Sequence, residues 1–478
     1  MQADKHDDNM TKKLQWWQLS LLGVACTIGT GYFLGASIAI TIAGPAVLIS
    51  FVLAALGTYI VYDMLATMTA EDPLKGSFRS YEKKAYGRWA GFSSGWGYWS
   101  SELLIMGSQM AALSLFTRLW FPNVPMWIFA SCYAVLALII VMVGTKGFER
   151  MENLFAVVKI AAIIMFLVIA SAALMGWIGE GTQPARFPVD EFFTAGVLGL
   201  WSSLIFAFYA FGGIEIMGLM AMRLRDPKQA PKAGKIMLIT LGVIYVISLT
   251  LALMLIPWTL IHSKESPFVL ALNGYDVAFV PHLFNAVFII AGFSTLVASL
   301  FAVTTILVTL ADDGDAPAYF AHRGEKKLPL RAVGLTTAGL LVSILMALLL
   351  PERLYEYVTT AAGLMLLYNW FFILVTSGRI LRLSAWGKTK RFTGMTLIVL
   401  AVSGAVLHAT SRPGFFISLA FVLIIGVVTI IMHRRWEREA SESRASENQL
   451  ISLQSEIAAK SDQRHPGDRR DGNKHPAR

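Results

Sequence analysis

Residues 21–40 read LLGVACTIGTGYFLGASIAI, an apolar stretch long enough to cross a bilayer, with Gly29 and Gly31 near its middle. A bilayer core about 30 Å thick needs roughly 20 apolar residues per helix. Glycine inside a helix costs about 1 kcal/mol relative to alanine, so the two glycines around Thr30 mark a weak point. The pattern predicts a membrane-spanning helix that is interrupted at mid-depth.

A second apolar stretch has the same character. Residues 205–222 read IFAFYAFGGIEIMGLMAM, with Gly212 and Gly213 adjacent near the centre. In the helix count given below, the two interruptions fall in helices 1 and 6. If the first ten helices form two halves of five, these are corresponding positions, and the odd number inverts the second half in the membrane. The alternative is that the small residues only let helices pack closely.

The composition favours a membrane protein over a soluble one. The 478 residues are 56% hydrophobic and only 15% charged, whereas about a quarter of the residues in soluble domains are charged. The formal net charge is +9, but the Lys and Arg residues lie in short runs between apolar segments. Membrane topology explains those runs without a nucleic-acid partner.

Twelve apolar segments of sufficient length can be placed along the chain. Their expected spans are 17–43, 45–69, 89–117, 125–144, 154–177, 194–221, 236–258, 282–311, 332–350, 354–378, 393–411 and 414–432. The fold class is therefore all-α, with twelve transmembrane helices. The expected organisation is an N-terminal segment 1–16, a membrane domain 17–432 with halves 17–177 and 194–378 and two additional helices within 393–432, and a tail 433–478.

The distribution of Lys and Arg predicts the orientation. If the N-terminus is cytoplasmic, most of these residues fall on the cytoplasmic side, and both termini lie there. We therefore expect a multi-pass protein of the cell inner membrane. The tail 433–478 is rich in Arg, Ser, Glu and Gln, too polar to bury much surface, so we expect it to be a disordered cytoplasmic extension.

The two interruptions predict a binding site for a zwitterion. Unwinding frees backbone N–H and C=O groups that lipid cannot satisfy. Amides at the start of the second half of helix 1 suit a carboxylate, and carbonyls at the end of the first half of helix 6 suit an ammonium group. An α-amino acid carries both charges. The expected binding residues are Cys26, Ile28, Gly29, Thr30, Gly31, Phe208, Tyr209, Phe211, Gly212 and Gly213.

Three ionisable residues lie deep in apolar segments. Lys159 lies in helix 5, where a charge costs roughly 2.5 to 3.5 kcal/mol on insertion scales. It either snorkels to the interface or occupies a cation position near the first break and titrates during transport. Glu215 follows the second break and Glu102 lies in helix 3. Each is a candidate for proton coupling, with a structural role as the alternative.

Other classes of function find little support in the sequence. His and Cys residues do not pair at metal-ligand spacing, and neither a phosphate-binding loop nor a catalytic cluster can be recognised. We therefore expect no metal, no cofactor, no catalytic residue and no enzymatic activity. The oligomeric state is left open.

Five motifs are similar to those of one known family. They are GVACTIGTGYFLG at 23–35, DPLKGSFRSYEKKAYG at 72–87, FAFYAFGGIE at 206–215, RDPKQAPKA at 225–233 and LADDGDAPAYFA at 310–321. With these motifs the chain resembles the amino acid-polyamine-organocation (APC) superfamily, and its bacterial amino acid permeases in particular. The resemblance covers helices 1 to 10.

The resemblance implies a LeuT-like five-plus-five inverted repeat with substrate held at the breaks in helices 1 and 6. It also implies that Lys159 occupies the place where sodium-coupled relatives bind a cation, which indicates proton coupling. Tyr209 falls where similar transporters have an aromatic gate over the substrate.

We therefore expect a secondary active transporter that imports a neutral, aliphatic L-amino acid with protons by alternating access. Its partners would be the amino acid, protons and the lipid bilayer. The alternatives are a polyamine or γ-aminobutyrate permease, which needs a deep carboxylate such as Glu102, and a membrane sensor that binds amino acids without moving them.

Overall fold

The computed structural model describes residues 14–142, 145–179, 191–275, 279–321, 330–349 and 354–463. Regular structure in these residues is helical, apart from one bridge between Leu14 and Leu224. In that bridge Leu14 N–H donates to the Arg223 carbonyl at 2.7 Å. The segment before the first helix is thereby joined to the segment that follows the second interruption.

Seventeen α-helices, numbered in chain order, make up the described fold. They are α1 Trp16–Thr27, α2 Thr30–Phe33, α3 Gly35–Ala43, α4 Val47–Glu71, α5 Phe78–Tyr86, α6 Arg88–Arg118, α7 Met126–Met142, α8 Thr145–Leu174, α9 Gly196–Tyr209, α10 Ile214–Met220, α11 Ala230–Leu255, α12 Pro267–Leu272, α13 Val280–Asp312, α14 Leu330–Leu349, α15 Leu354–Ile380, α16 Ala385–Leu407 and α17 Arg412–Gln463.

The outer surface of the bundle is apolar. In α8, for example, Val157, Ile164 and Val168 are exposed, as expected for a helix that faces lipid. Eight described segments are long and apolar enough to cross a membrane, and two shorter apolar helices, Met126–Met142 and Leu330–Val342, accompany them. Multiple membrane-crossing helices are thus present, while the count of twelve stays a prediction.

Glycine and other small residues allow the central helices to approach closely. A Cβ atom added at Gly95 of α6 would lie 2.7 Å from Leu310 of α13, and one at Gly57 of α4 would lie 2.6 Å from Phe208 of α9. Contacts this short require the absence of a side chain. The interrupted helices α1–α3 and α9–α10 are therefore held inside a tightly packed bundle.

The chain divides into two compact units, residues 1–425 and 426–478. The second differs from the disordered tail expected from composition, because α17 continues as a helix to Gln463. Side-chain pairs four residues apart lie along this polar helix, where such pairs are stabilising. Nε2 of His433 lies 3.3 Å from Oε1 of Glu437, and Nε of Arg435 lies 2.8 Å from Oε1 of Glu439. Residues 1–13 and 464–478 lie outside the described residues.

A buried ion-pair cluster joins α5 to the end of α13. The fully buried Arg79 donates to Asp313 at 2.8 Å and also to Asp315, while its Nε donates to the Gly91 carbonyl at 3.0 Å. Asp315 accepts a second bond from Arg88 at 2.7 Å. Burial by itself raises the pKa of Asp313. Hydrogen bonds from Lys83 and Arg79 outweigh this effect and lower the pKa below its ordinary value. The carboxylates of this cluster hold the ends of α5, α6 and α13 together.

We expect Asp315→Asn to destabilise the protein strongly. Removing one partner of a buried pair leaves Arg79 under-compensated, a change that typically costs ~3–5 kcal/mol. The measurement is the midpoint of thermal unfolding of the purified protein in detergent. Lys84→Ala is the matched control, because the pair between Lys84 and Asp72 is exposed and such pairs contribute about 0–1 kcal/mol. Equal midpoints for both variants would contradict a structural role for the cluster.

Candidate substrate site

Both predicted interruptions are present. The first lies between the end of α1 at Thr27 and the start of α2 at Thr30, with Gly29 in an extended conformation between them. The second lies between the end of α9 at Tyr209 and the start of α10 at Ile214. Gly213 has a φ of +113°, a backbone conformation that L side chains rarely adopt. The chain therefore breaks both helices where glycine makes the break least costly.

The two breaks touch each other. A Cβ atom at Gly213 would lie 2.9 Å from the Cys26 carbonyl oxygen, and one at Gly31 would lie 2.9 Å from the ring of Tyr209. Neither position has room for a side chain. Backbone from the first break thus lies directly against backbone and ring from the second.

A buried cavity of about 30 Å³ lies between the breaks. Seven of the ten predicted binding residues line it: Cys26, Gly29, Thr30, Gly31, Tyr209, Gly212 and Gly213. The amides of Thr30 and Gly31 are in the first turn of α2 and so have no intrahelical acceptor. The carbonyl of Tyr209 accepts from Gly212 N–H at 3.0 Å and keeps a second lone pair for a ligand.

Three predicted residues are not brought to the cavity. Ile28 is fully buried in the core. The ring of Phe208 packs edge-on against Trp370, and the ring of Phe211 packs against Phe51 and Tyr245. Successive residues of a helix or turn point in different directions, so these side chains face neighbouring helices, while Gly29 and Gly212, which follow Ile28 and Phe211, line the cavity. The carbonyl of Phe208, which was expected to face the substrate, accepts from Phe211 N–H at 3.0 Å.

Lys159 is fully buried and does not snorkel. Its ammonium group donates to the carbonyl of Ala25 and, at 2.9 Å, to the hydroxyl of Ser294 in α13. The Ala25 carbonyl belongs to the last turn of α1, where carbonyls lack intrahelical partners. Lys159 therefore links α8 to the end of α1 and to α13, just behind the cavity rather than in its wall.

The two deep glutamates differ in position. Glu215 lies outside the cavity lining, accepts from its neighbour Gly213 N–H at 3.1 Å and accepts from the indole N–H of Trp370. It thus satisfies an amide that the second break leaves unpaired. Glu102 lines the cavity directly. Within the described residues neither glutamate has an ion-pair partner.

One wall of the cavity, formed by α6 and α13, was not predicted from the sequence. The lining residues it did not identify are Thr27, Ile105, Gln109, Ile216, Thr295 and Ser299. Glu102, Ile105 and Gln109 recur at helical spacing on one face of α6, and Thr295 and Ser299 do so on α13. This spacing was visible in the sequence, but nothing local indicated which face of either helix meets the breaks.

A second, larger cavity lies at the opposite end of α6 and α13 from the ion-pair cluster. Its volume is about 440 Å³, and charged residues at its rim include Arg118, Lys264, Glu265 and Glu356. Tyr355 lines this cavity, and its hydroxyl donates to the Thr30 carbonyl at 3.0 Å. Since Thr30 lines the inner cavity, one hydrogen bond joins the walls of the two cavities.

Fold and site together define a polytopic membrane protein with a buried polar cavity between two broken helices. Residues 18–432 match the sequence model of the amino acid permease family, and the chain belongs to that family. The protein is 54% identical to the uncharacterized transporter YcgH of Bacillus subtilis over 90% of this chain and 96% of that protein.

More distant relatives are transporters named for their substrates. The chain is 26% identical to the aromatic amino acid transport protein AroP of Escherichia coli, over 89% of this chain and 96% of that protein. It is 28% identical to the L-asparagine permease of Escherichia coli, over 89% of each chain. Family and relatives are permeases, not enzymes.

We expect Gly213→Val to abolish substrate binding without preventing membrane insertion. Valine would have to adopt a φ of +113° with its Cβ about 2.9 Å from the Cys26 carbonyl, which forces the breaks apart. Gly31→Val should act similarly by displacing the ring of Tyr209. The measurement is the binding of amino acids to purified protein, with Gly97→Val as the control, because a Cβ at Gly97 meets nothing within 4 Å. Ordinary affinity in Gly213→Val would refute the site.

We expect Tyr355→Phe to make the inner cavity accessible from the larger one. Loss of the hydrogen bond to the Thr30 carbonyl removes ~1 kcal/mol of stabilisation from the closed state. The population in which the inner cavity is open to the larger one should therefore rise about fivefold. Cys26 lines the inner cavity, so the measurement is its rate of modification by a membrane-impermeant thiol reagent in a Cys132→Ser background. The control is Tyr368→Phe, because Tyr368 lies on the same helix as Tyr355 and its hydroxyl is bonded to Ser418 of α17. An unchanged rate in Tyr355→Phe would exclude a gating role.

Proposed function

We propose that the protein is a secondary active transporter that imports a neutral L-amino acid together with protons by alternating access around the cavity between the breaks. One observation carries the proposal: the two broken helices meet at a buried cavity that offers unpaired amides from α2 and carbonyls from the end of α9. These groups complement the carboxylate and ammonium of an α-amino acid.

Membership of the amino acid permease family supports this choice of substrate. The amino acids in the names of these relatives have different side chains, which are aromatic in one case and an amide in the other. The relatives therefore support an α-amino acid as substrate but not a particular side chain. We place the protein in the cell inner membrane with twelve helices, a LeuT-like five-plus-five inverted repeat and both termini cytoplasmic.

In this mechanism Tyr209 serves as a gate over the substrate. Its ring lies against Gly31, and both residues line the cavity. An amino acid does not fit in about 30 Å³, a volume that holds only one or two waters. Substrate binding therefore requires Tyr209 and the half-helices to move apart, and closure of the same groups would occlude the substrate.

Lys159 is our candidate for proton coupling. When charged, it ties α8 to the end of α1 through the Ala25 carbonyl. A neutral lysine is a weaker hydrogen-bond donor, so protonation favours the access state in which Lys159 contacts the Ala25 carbonyl. The size of this bias equals the difference in the free energy of the contact between the two access states. A pH difference of one unit corresponds to about 1.4 kcal/mol, enough to shift a balanced equilibrium tenfold. Glu215 and Glu102 are the alternative coupling groups.

A γ-aminobutyrate or polyamine permease is the second candidate, because Glu102 lines the cavity and could bind a remote amine. A sensor would bind amino acids without moving them. Uptake into proteoliposomes with an inward proton gradient, with competition by each of the twenty amino acids and by γ-aminobutyrate and spermidine, separates the three. Binding without uptake would sink the transport proposal.

We expect Lys159→Ala to abolish proton-driven accumulation while substrate exchange persists. The alanine variant loses the contact with Ala25 and Ser294 but leaves the cavity lining intact. The measurement compares counterflow with uptake driven by an imposed pH gradient in the same proteoliposomes. Val157→Ala is the control, since Val157 is exposed on the same helix. Accumulation by Lys159→Ala in response to the gradient would move the coupling role to Glu215 or Glu102.

A further inference from the structure

The inner cavity contains polar atoms that the protein itself does not satisfy. Glu102 Oε2, Gln109 Oε1 and Thr27 Oγ1 are buried and have no hydrogen-bond partner within the described residues. All three residues line the cavity between the breaks, and they are only 2%, 5% and 5% exposed, respectively. Buried polar groups are almost always hydrogen-bonded, so three such atoms around one cavity mark a place where water, or a substrate that displaces it, supplies the partners.

The arrangement of these atoms separates backbone recognition from side-chain recognition. The breaks supply amides and carbonyls from α2 and α9, whereas Glu102 and Gln109 lie seven residues apart on one face of α6, with Ile105 between them. Ser299 of α13 lies beside the carboxyl group of Glu102. The α6 face therefore forms a third wall, available to whatever the α-carbon carries.

From this geometry we infer that the substrate has a carboxamide side chain, read by Glu102 and Gln109 on α6 and by Thr27 at the end of α1. This inference rests on the proposed function and replaces the aliphatic side chain expected from the sequence. A carboxamide has two N–H donors in a fixed plane and one carbonyl acceptor. The two donors correspond in number to the two oxygens on α6, and the carbonyl can accept from the hydroxyl of Thr27.

Apolar side chains match less well. An aliphatic side chain would displace water from both oxygens on α6 and leave them without a hydrogen-bond donor. Sites built to hydrogen-bond a substrate strongly reject analogues that lack the bonding group, because the buried polar atoms of the site are then unpaired. An ammonium group has three donors and could also satisfy these atoms, because the Thr27 hydroxyl accepts as well as donates; the comparison with lysine below tests this alternative.

The test compares uptake of labelled L-glutamine and L-asparagine with that of L-methionine, which is similar in length to glutamine and has no side-chain N–H, and with that of L-leucine and L-lysine. Initial rates in proteoliposomes, at the same low concentration, give the ratios of kcat/KM. We expect glutamine or asparagine to exceed methionine and leucine by at least about tenfold. Gln109→Leu should reduce the glutamine-to-methionine ratio by at least about tenfold.

The control variant is Asn369→Leu. Asn369 is also a buried amide with no hydrogen-bond partner within the described residues, but it does not line the cavity. It should leave the ratio unchanged, which separates a loss of recognition from a general effect of removing a buried amide. Both variants exchange a polar side chain for an apolar one of similar size, so correct insertion is expected and can be checked by size-exclusion chromatography.

The outcomes distinguish this inference from the proposed function. Higher rates for methionine or leucine than for glutamine and asparagine, or a ratio that Gln109→Leu does not change, would overturn the carboxamide assignment and leave the transport proposal standing. Preferred uptake of lysine would overturn both the carboxamide and the neutral substrate. Binding without uptake of any amino acid would overturn the proposed function itself.

Discussion

The contact between Gly213 and the Cys26 carbonyl determines how the centre of this protein is built. A Cβ atom added at Gly213 would lie only 2.9 Å from the Cys26 carbonyl oxygen. The two broken helices can therefore meet here only because Gly213 has no side chain. Interrupted helices are tolerated at membrane depth only where the freed backbone groups are buried in protein or line a cavity. The contact provides both conditions, because it closes one side of the cavity and shields the breaks from lipid.

Ionisable side chains support the contact from both sides. The ammonium of Lys159 reaches the Ala25 carbonyl at the end of α1, and the carboxylate of Glu215 reaches the Gly213 amide at the start of α10. The ammonium group faces the C-terminal end of α1, which has a partial negative charge, and the carboxylate faces the N-terminal end of α10, which has a partial positive charge. Charges in the membrane are costly, and these two are placed where unwound backbone offers the most in return. The same placement makes their protonation relevant to whether the breaks stay together.

The sequence predicted the elements whose signals are local. Closely spaced glycines in apolar stretches located both breaks, and Lys159 stood out because a lysine is rare in such a helix. The wall formed by α6 and α13 could not be predicted in this way, since which face of one helix meets another depends on contacts between residues far apart in the chain. Gln109 illustrates the difference: its buried oxygen lacks a partner within the described residues, which is apparent only once its neighbours are known.

The sizes of the two cavities constrain how an amino acid could pass through this centre. The inner cavity holds about 30 Å³ and the larger one about 440 Å³, and the hydrogen bond from Tyr355 to the Thr30 carbonyl joins their walls. Thr30 belongs to the same short half-helix whose amides line the inner cavity. In the proposed mechanism, a movement of α2 would break this bond or loosen the packing of Gly31 against Tyr209. The proposal therefore couples access to binding through one four-residue helix that contacts both cavities.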